Sequence, residues 1–383
     1  MLESIFAQRH GRWVVPLLLM ACMTTACHRS AGMAEKPKTS RPPKDLAAWN
    51  IFKQGDSGKL IHETLPGVVP YELNSSLFSD YTSKYRFVKL PEGSKAKYDE
   101  ATVFDFPVDT VIAKTFTYPH DRRDLSKGER IMETRILHRK ETGWEAFSYQ
   151  WNAEQTSATL ALAGAVVPVS WIHDDGSTKT NDYIIPDANK CISCHEEEKK
   201  ILPIGPKARH LNRDYPYADG KENQLVHWTK MGILDGAPSS PDQAPRNAVW
   251  DDASTGTLDE RARAYLEINC AHCHHRGGPA RNAGLDFRIA MEETEKLGIW
   301  KSPVAVGRGG GGRKYSIVPG KPEDSILYFR LNTTDPGIMM PEVARRMIHS
   351  EGVSLIKEWI ESLRDPHQGE RASEPLPTGA GGE

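Results

Sequence analysis

The chain has 383 residues, with 49 Lys and Arg against 51 Asp and Glu, and 38% of its residues are apolar. The formal net charge of −2 removes any strong electrostatic case for nucleic acid or for an acidic partner. Its six cysteines are Cys22 and Cys27 near the N-terminus and two close pairs further on. The body therefore has no thiol outside those pairs, and no candidate structural disulfide.

The first element in chain order is an export signal. Arg9, His10 and Arg12 form a basic start, and residues 13–21 (WVVPLLLMA) a short apolar run. A bilayer needs about 20 apolar residues, so this run does not span one. It ends in Leu19-Met20-Ala21-Cys22, a small residue before a cysteine as in a bacterial lipobox; Thr24-Thr25-Ala26-Cys27 is a weaker match. Residues 1–27 read as a lipoprotein signal peptide with Cys22 lipidated, which would tether the body to a membrane surface. Cys27 is the alternative site, and an ordinary secretory leader the alternative role of the segment. The expected location is the periplasmic or cell-surface side of a bacterial membrane. Residues 28–49, rich in Lys, Pro, Ser and Arg, suit a flexible linker, and residues 365–383 a disordered tail. Roughly 315 residues remain, enough for two or three modest domains.

Residues 50–186 read as β structure. Residues 85–90 alternate, 110–116 are β-branched and aromatic, and 133–138, 144–151 and 165–172 follow at turn-punctuated intervals. Pro91-Glu92-Gly93, Thr142-Gly143 and Asp174-Asp175-Gly176 supply the turns. The expected fold is α+β: an antiparallel, sandwich-like β domain followed by an α-helical, cytochrome c-like region. The aromatic residues of the β domain are expected in its core, with packing of this face on the first haem as the alternative.

From about residue 184 the pattern changes to helices and irregular loops. Residues 187–250 contain Cys191-Ile192-Ser193-Cys194-His195, and residues 251–364 contain Cys270-Ala271-His272-Cys273-His274. Each is C-x-x-C-H, the attachment sequence of a covalently bound c-type haem. Two thiols three positions apart can each bond one vinyl group, and the adjacent histidine then lies under the iron. The implied cofactors are two haem c groups held by Cys191, Cys194, Cys270 and Cys273, with His195 and His274 as proximal ligands. Paired zinc-ribbon motifs usually leave about 15–20 residues between pairs, whereas Cys191 and Cys270 are 79 apart (270 − 191). A thioredoxin-like dithiol would need a βαβ setting, and two local disulfides would leave both histidines unexplained.

Around the second motif, Thr257-Leu258-Asp259-Glu260 is a capping box that opens a helix with Leu258, Ala262, Tyr265 and Leu266 on one face. Ser350 is expected to cap a second helix with Val353, Ile356, Trp359, Ile360 and Leu363 on one side. Between them lies Gly337-Ile338-Met339-Met340-Pro341. The order helix, C-x-x-C-H, long loop, Met-Pro, helix is that of a small mono-haem cytochrome c domain, whose two helices pack across each other. Met340 is then the expected distal ligand of the second haem, with Met339 as alternative or a plain core role for Met340. A thioether ligand raises the potential and closes the sixth position. For the first haem the distal candidates are His210, His227 and Met231, the last two on a helix over residues 224–234. An open sixth position would instead let the iron bind small ligands. The glycine-rich residues 307–313 lack the lysine and hydroxyl of a P-loop. They read as a loop over the haem edge, with Arg308 or Arg313 near the propionates. The charge run Glu196-Glu197-Glu198-Lys199-Lys200 reads as a solvated face.

Several segments together resemble a family of uncharacterised exported bacterial dihaem c-type cytochromes. They are Val69-Pro70-Tyr71-Glu72-Leu73-Asn74, Leu77-Phe78-Ser79-Asp80-Tyr81, Phe106-Pro107 and Tyr149-Gln150-Trp151-Asn152, then Pro203-Ile204-Gly205-Pro206-Lys207-Ala208-Arg209, the second C-x-x-C-H, and Val318-Pro319-Gly320-Lys321-Pro322. The likeness spans about residues 50–363 and implies two haems and export without supplying a substrate. The C-terminal part is also similar to the mono-haem domains of other exported bacterial cytochromes. The expected role is single-electron transfer between unidentified redox protein partners, with the anchor holding the chain to a membrane surface and no nucleic acid involved. A dihaem peroxidase-like oxidoreductase is the main rival, and a binding or sensor module the third.

Overall fold

Strands form where β-branched and aromatic residues alternate with polar ones. The first nine are β1 (Val68–Tyr71), β2 (Ser83–Lys89), β3 (Ala96–Lys97), β4 (Val111–Pro119), β5 (Glu129–Lys140), β6 (Gly143–Trp151), β7 (Ala158–Leu160), β8 (Ala165–Ile172) and β9 (Thr178–Ile185), with short two-stranded pairings beyond them. Six of them make one antiparallel sheet in the order β1-β2-β4-β5-β6-β7, while β8 and β9 pair as a separate hairpin. The computed structural model describes residues 41–53, 63–343 and 345–365. The leader with Cys22 and Cys27, most of the linker, and the tail beyond residue 365 lie outside the described residues. Those described from Pro42 onward form one compact unit.

Register decides what each face of the sheet carries, because residues opposite one another point the same way. Phe87, Ala113, Ile136 and Tyr149 build a core on one face, closed by Leu46 and Ile51 from the start of the described chain. The other face carries Val69, Val88 and Ile112, packed under Ala208, Leu211, Leu225 and Trp228 from the second half of the chain. At its far end Phe116 and Met132 meet Trp171 and Tyr183 of the β8–β9 hairpin. The layer facing the sheet is thus one hairpin plus helical segments, not a second full sheet. The expected sandwich forms only in part, because the apolar cover comes from residues beyond 186.

The helices are α1 (Ala188–His195), α2 (Ala208–Leu211), α3 (Gln224–Lys230), α4 (Leu258–Leu266), α5 (Ile326–Leu331) and α6 (Ser350–Ser362). α4 opens on the expected capping box: Thr257 N donates to Glu260 Oε2 at 2.7 Å and Glu260 N to Thr257 Oγ1 at 3.3 Å. Its face of Ala262, Tyr265 and Leu266 packs against Val353, Ile356, Trp359 and Ile360 of α6. The crossing is close because Gly352 has no side chain: a Cβ there would stand 2.4 Å from the Tyr265 hydroxyl. Trp359 Nε1 donates to Asp259 Oδ1 at 2.7 Å across the pair. Ser350 is the first residue of α6 rather than its cap. His349 holds the cap position without a side-chain cap bond, and its ring stacks on Phe78 at 4.2 Å. α3 stops at Lys230, short of residue 234, as Gly232 turns the chain with φ +72°.

The loop between β1 and β2 joins the halves. Asn74 Nδ2 donates to the carbonyls of Arg209 (2.8 Å) and Asn247 (3.2 Å). Phe78 N donates to Asn269 Oδ1 at 2.8 Å. Asp80 Oδ1 accepts from the backbone N–H groups of Arg346 (2.7 Å) and Met347 (2.8 Å), and Oδ2 from Asn181 at 3.0 Å.

Candidate functional site

α1 begins where Asp187 accepts a hydrogen bond from Lys190 N at 3.0 Å, a side-chain cap after Pro186. Helical geometry then puts Cys191, Cys194 and His195 (i, i+3, i+4) on one face. That face borders a cavity of about 1210 Å³, whose opposite wall is the sheet: Tyr71, Arg86, Ile112, Lys114, Arg135 and Phe147 all line it. Some aromatic residues of the β domain thus border the cavity, the alternative to a purely core role. Tyr71 and Tyr118 of the sheet and Tyr183 of the β8–β9 hairpin line the cavity as well as the core.

The second motif follows α4 through a π-turn, Glu267–Ala271, a distortion common at functional sites. Cys273 N and His274 N both donate to Cys270 O, at 3.1 and 2.9 Å. The two pentapeptides, distant in sequence, meet in space: the Cys273 thiol lies 3.7 Å from the Ser193 carbonyl oxygen. Glu198 N also donates to Gly277 O at 3.1 Å, tying the turn after the first motif to the loop after the second. None of the four cysteines is in a disulfide.

Burial sets the protonation states. It pushes the Cys270 and Cys273 thiols up to about 12 and raises Cys191 and Cys194, so all four are neutral thiols at pH 7. It lowers His195 and His274 to about 4, leaving both imidazoles neutral, the form that ligates a metal. His195 Nδ1 is 2.7 Å from the Leu202 carbonyl. Donation there fixes the tautomer with Nε2 unprotonated, the arrangement of a histidine ligand whose other nitrogen is held by the backbone. His274 Nδ1 is buried without a partner. Among the described residues no group of three or more His, Cys, Asp or Glu gathers as a metal site. A porphyrin iron needs only axial ligands from the protein. At the first motif, two neutral thiols and a Nε2 imidazole beside a large cavity fit the donor set of haem c, whereas Cys270, Cys273 and His274 do not line that cavity.

The other candidates fall in different places. His210 is buried on α2 with Nδ1 unpartnered; His227 stacks on Tyr217 at 3.4 Å and sits 3.1 Å from Glu222 Oε2; Met231 is exposed. None of the three is among the residues lining the cavity, whereas Met339 is. Met340 is half-buried, its N–H donating to Arg330 O at 2.9 Å. Arg308 pairs with Asp335 at 2.9 Å, and Arg313 lies over the Phe329 ring at 4.2 Å with Nε donating to Glu323 O. Neither arginine lines the cavity beside the first motif. The run from Glu196 to Lys200 is mostly exposed, as read from the sequence.

The cations Arg86, Lys114 and Arg135 escaped sequence reasoning, since alternating charges in strands read as a solvent face; only the register between strands reveals them. No family model, curated protein or solved structure matches this chain. Among the described residues no helix is long and apolar enough to cross a membrane.

Proposed function

We propose that the chain is a dihaem c-type cytochrome that passes single electrons between exported or membrane-associated redox partners. The observation that carries this reading is the meeting of two C-x-x-C-H segments, with 3.7 Å between the Cys273 thiol and Ser193 O, beside a cavity lined by Cys191, Cys194 and His195. Groups bonded at two such adjacent sites would sit close enough for direct electron exchange. The haems would supply the redox-active irons. Cys191, Cys194, Cys270 and Cys273 would tether them, His195 and His274 would be proximal ligands, and Met340 would be distal at the second. The α4–α6 pair with its Met-Pro loop supports a cytochrome c-like assignment for that half, in line with the family it resembles. Export with a lipid on Cys22 belongs to the same proposal.

The test is the mass of the denatured, purified polypeptide from a host with working cytochrome maturation. Two covalent haem additions are expected; a colourless product with bare thiols would end the reading. A peroxidase-like oxidoreductase is the second reading, favoured by one observation: His210, His227 and Met231 all lie off the cavity lining. Carbon monoxide added to the reduced protein separates the two. A prompt spectral shift at one haem favours the enzyme, and no shift favours pure electron transfer.

A further inference from the structure

Across the sheet, Arg86 on β2, Lys114 on β4 and Arg135 on β5 are direct register partners, flanked by Tyr71 on β1 and Ser148 on β6. All three cations line the cavity beside Cys191, Cys194 and His195. Like charges at directly opposed positions destabilise a sheet, and burial in a protein-walled space strengthens the repulsion. Local partners relieve it only partly. Arg135 pairs with the buried Glu133 at 2.6 Å, and Arg86 donates to Ser76 Oγ at 3.1 Å. Lys114 has the face of Phe116 at 4.7 Å and, among the described residues, no carboxylate at ion-pair distance. Burial, then the neighbouring Arg86 and Arg135, hold the Lys114 amine well below the ordinary lysine value. A row of this kind is stable when an anion lies against it.

The charge balance says that haem propionates do not exhaust the row. The cavity lining carries seven Lys and Arg side chains against three carboxylates, Asp80, Asp182 and Glu342, in a chain whose formal net charge is −2. Glu133 under Arg135 and Asp187 beside Lys190 bring the negative charges to five, which leaves two positive charges over. Two propionates would take both of these, and the positive core of an oxidised haem would leave one positive charge at the row. Positive potential remains beside the first motif, at the wall of a cavity of about 1210 Å³.

We propose that the Arg86–Lys114–Arg135 row is a binding subsite for a small oxyanion or carboxylate taken from solution, placed next to the haem carried by Cys191 and Cys194. The inference rests on the haem reading for the neighbour of the subsite, but not for the row itself. A cavity of this sign concentrates anions from solution, so the ligand class is a small anion able to lie beside a redox iron. Bidentate contact from Arg86 and Arg135, with Lys114 as a point charge between them, suits a planar or tetrahedral oxyanion.

The experiment uses the full-length haem-loaded protein, titrated with sodium sulfate and with sodium acetate against sodium chloride at constant ionic strength. Calorimetry and thermal unfolding are the readouts, and the Soret band of the first haem is followed in parallel. Saturable binding of sulfate or acetate beyond chloride is expected, weakened at least tenfold in Lys114→Met, which replaces an unpaired buried amine by an apolar chain of similar length. Arg130→Met, at the same cavity but outside the row, is expected to bind within threefold of the parent. Binding equal in Lys114→Met and the parent would overturn the proposal. So would no anion-specific binding at all, including the case in which Lys114→Met shifts only the first haem's midpoint potential, since the row would then serve the propionates alone. The mass of the denatured protein reports haem content separately. Anion binding to a haem-free chain would leave the subsite standing and sink only the cytochrome reading.

Discussion

Glu267 offers the sharpest test of how the two halves are held. It lies in the π-turn three residues before Cys270 and is 4% exposed. Its Oε1 accepts from Arg209 Nη1 at 3.0 Å and its Oε2 from Asn247 Nδ2, so it binds the chain around α2 to the second motif. Both side chains of the ion pair are largely shielded from water. Removing one member of a buried pair leaves the other charge unpaired and costs about 3–5 kcal/mol. Glu267→Gln keeps the shape and one acceptor, so the lower end, about 3 kcal/mol, is expected. At about 2–4 °C per kcal/mol for a large domain, that is a fall in Tm of roughly 6–12 °C. Arg209→Met should cost a similar amount, and the Arg209→Met/Glu267→Gln double variant should lose less than the sum of the two, with a coupling of about 1–3 kcal/mol in urea unfolding. The pH dependence has a definite sign. Burial alone would raise the Glu267 pKa, but His210, Arg209 and Lys207 hold it below the usual carboxylate value. Its contribution is therefore complete above the unfolded value of about 4.3 and is lost as pH falls through the lower folded value. The parent should lose stability in that acid range more steeply than Glu267→Gln. Additive single losses, or a loss under about 1 kcal/mol, would refute the claim that this pair clamps the halves together.

Gly352→Ala should destabilise by about 1–3 kcal/mol through overpacking, despite a helix-propensity gain of about 1 kcal/mol, because the new Cβ would meet the Tyr265 ring at 2.5 Å; equal or greater stability in chemical unfolding would show that α4 and α6 do not cross as described. Asp80→Ala removes three hydrogen bonds and leaves the Arg346 and Met347 amides unpaired. Deuterium exchange should quicken at residues 345–349 while β4 and β5 stay protected, and an unchanged pattern would count against this junction. Cys194→Ala should leave the first haem held by one thioether and the second untouched. Tryptic peptide masses, with and without the porphyrin, report which residue carries which group, and loss of the second haem as well would contradict independent attachment.

The sequence was legible where a local signal decides the outcome. The residues 165–172 are β8 as expected, and the stretches 85–90, 133–138 and 144–151 fall within or across the ends of β2, β5 and β6, since β-branched and aromatic alternation suffices. The Thr257–Glu260 box starts α4 for the same reason. β9 was missed because TKTNDYII is mostly polar and exposed along its first half; it forms by pairing with β8, a partner that periodicity does not name. Ser350 misled because capping preference ignores tertiary context. Phe78 already holds His349 in place, and Tyr81 OH accepts from Ser350 N at 3.2 Å. The cysteine motifs were legible as chemistry, but not their meeting, nor the cation row opposite them. Both depend on contacts separated by tens of residues, and no composition or spacing encodes those.

The sheet is what makes the two motifs neighbours. α1 packs on β6, while the loop after β1 grips the second half at Asn74, Phe78 and Asp80. Each pentapeptide is thus tied to the same compact unit, so their separation does not depend on the short contact between Cys273 and Ser193 alone. Under the proposed function this has a kinetic consequence. Electron exchange between the haems would need no hinge, and its rate should stay constant in viscous solvent, whereas docking of external partners would slow. A strong viscosity dependence of the internal step, measured after photoreduction of one haem, would mean that the halves move relative to each other, and the β layer could then not be a fixed scaffold.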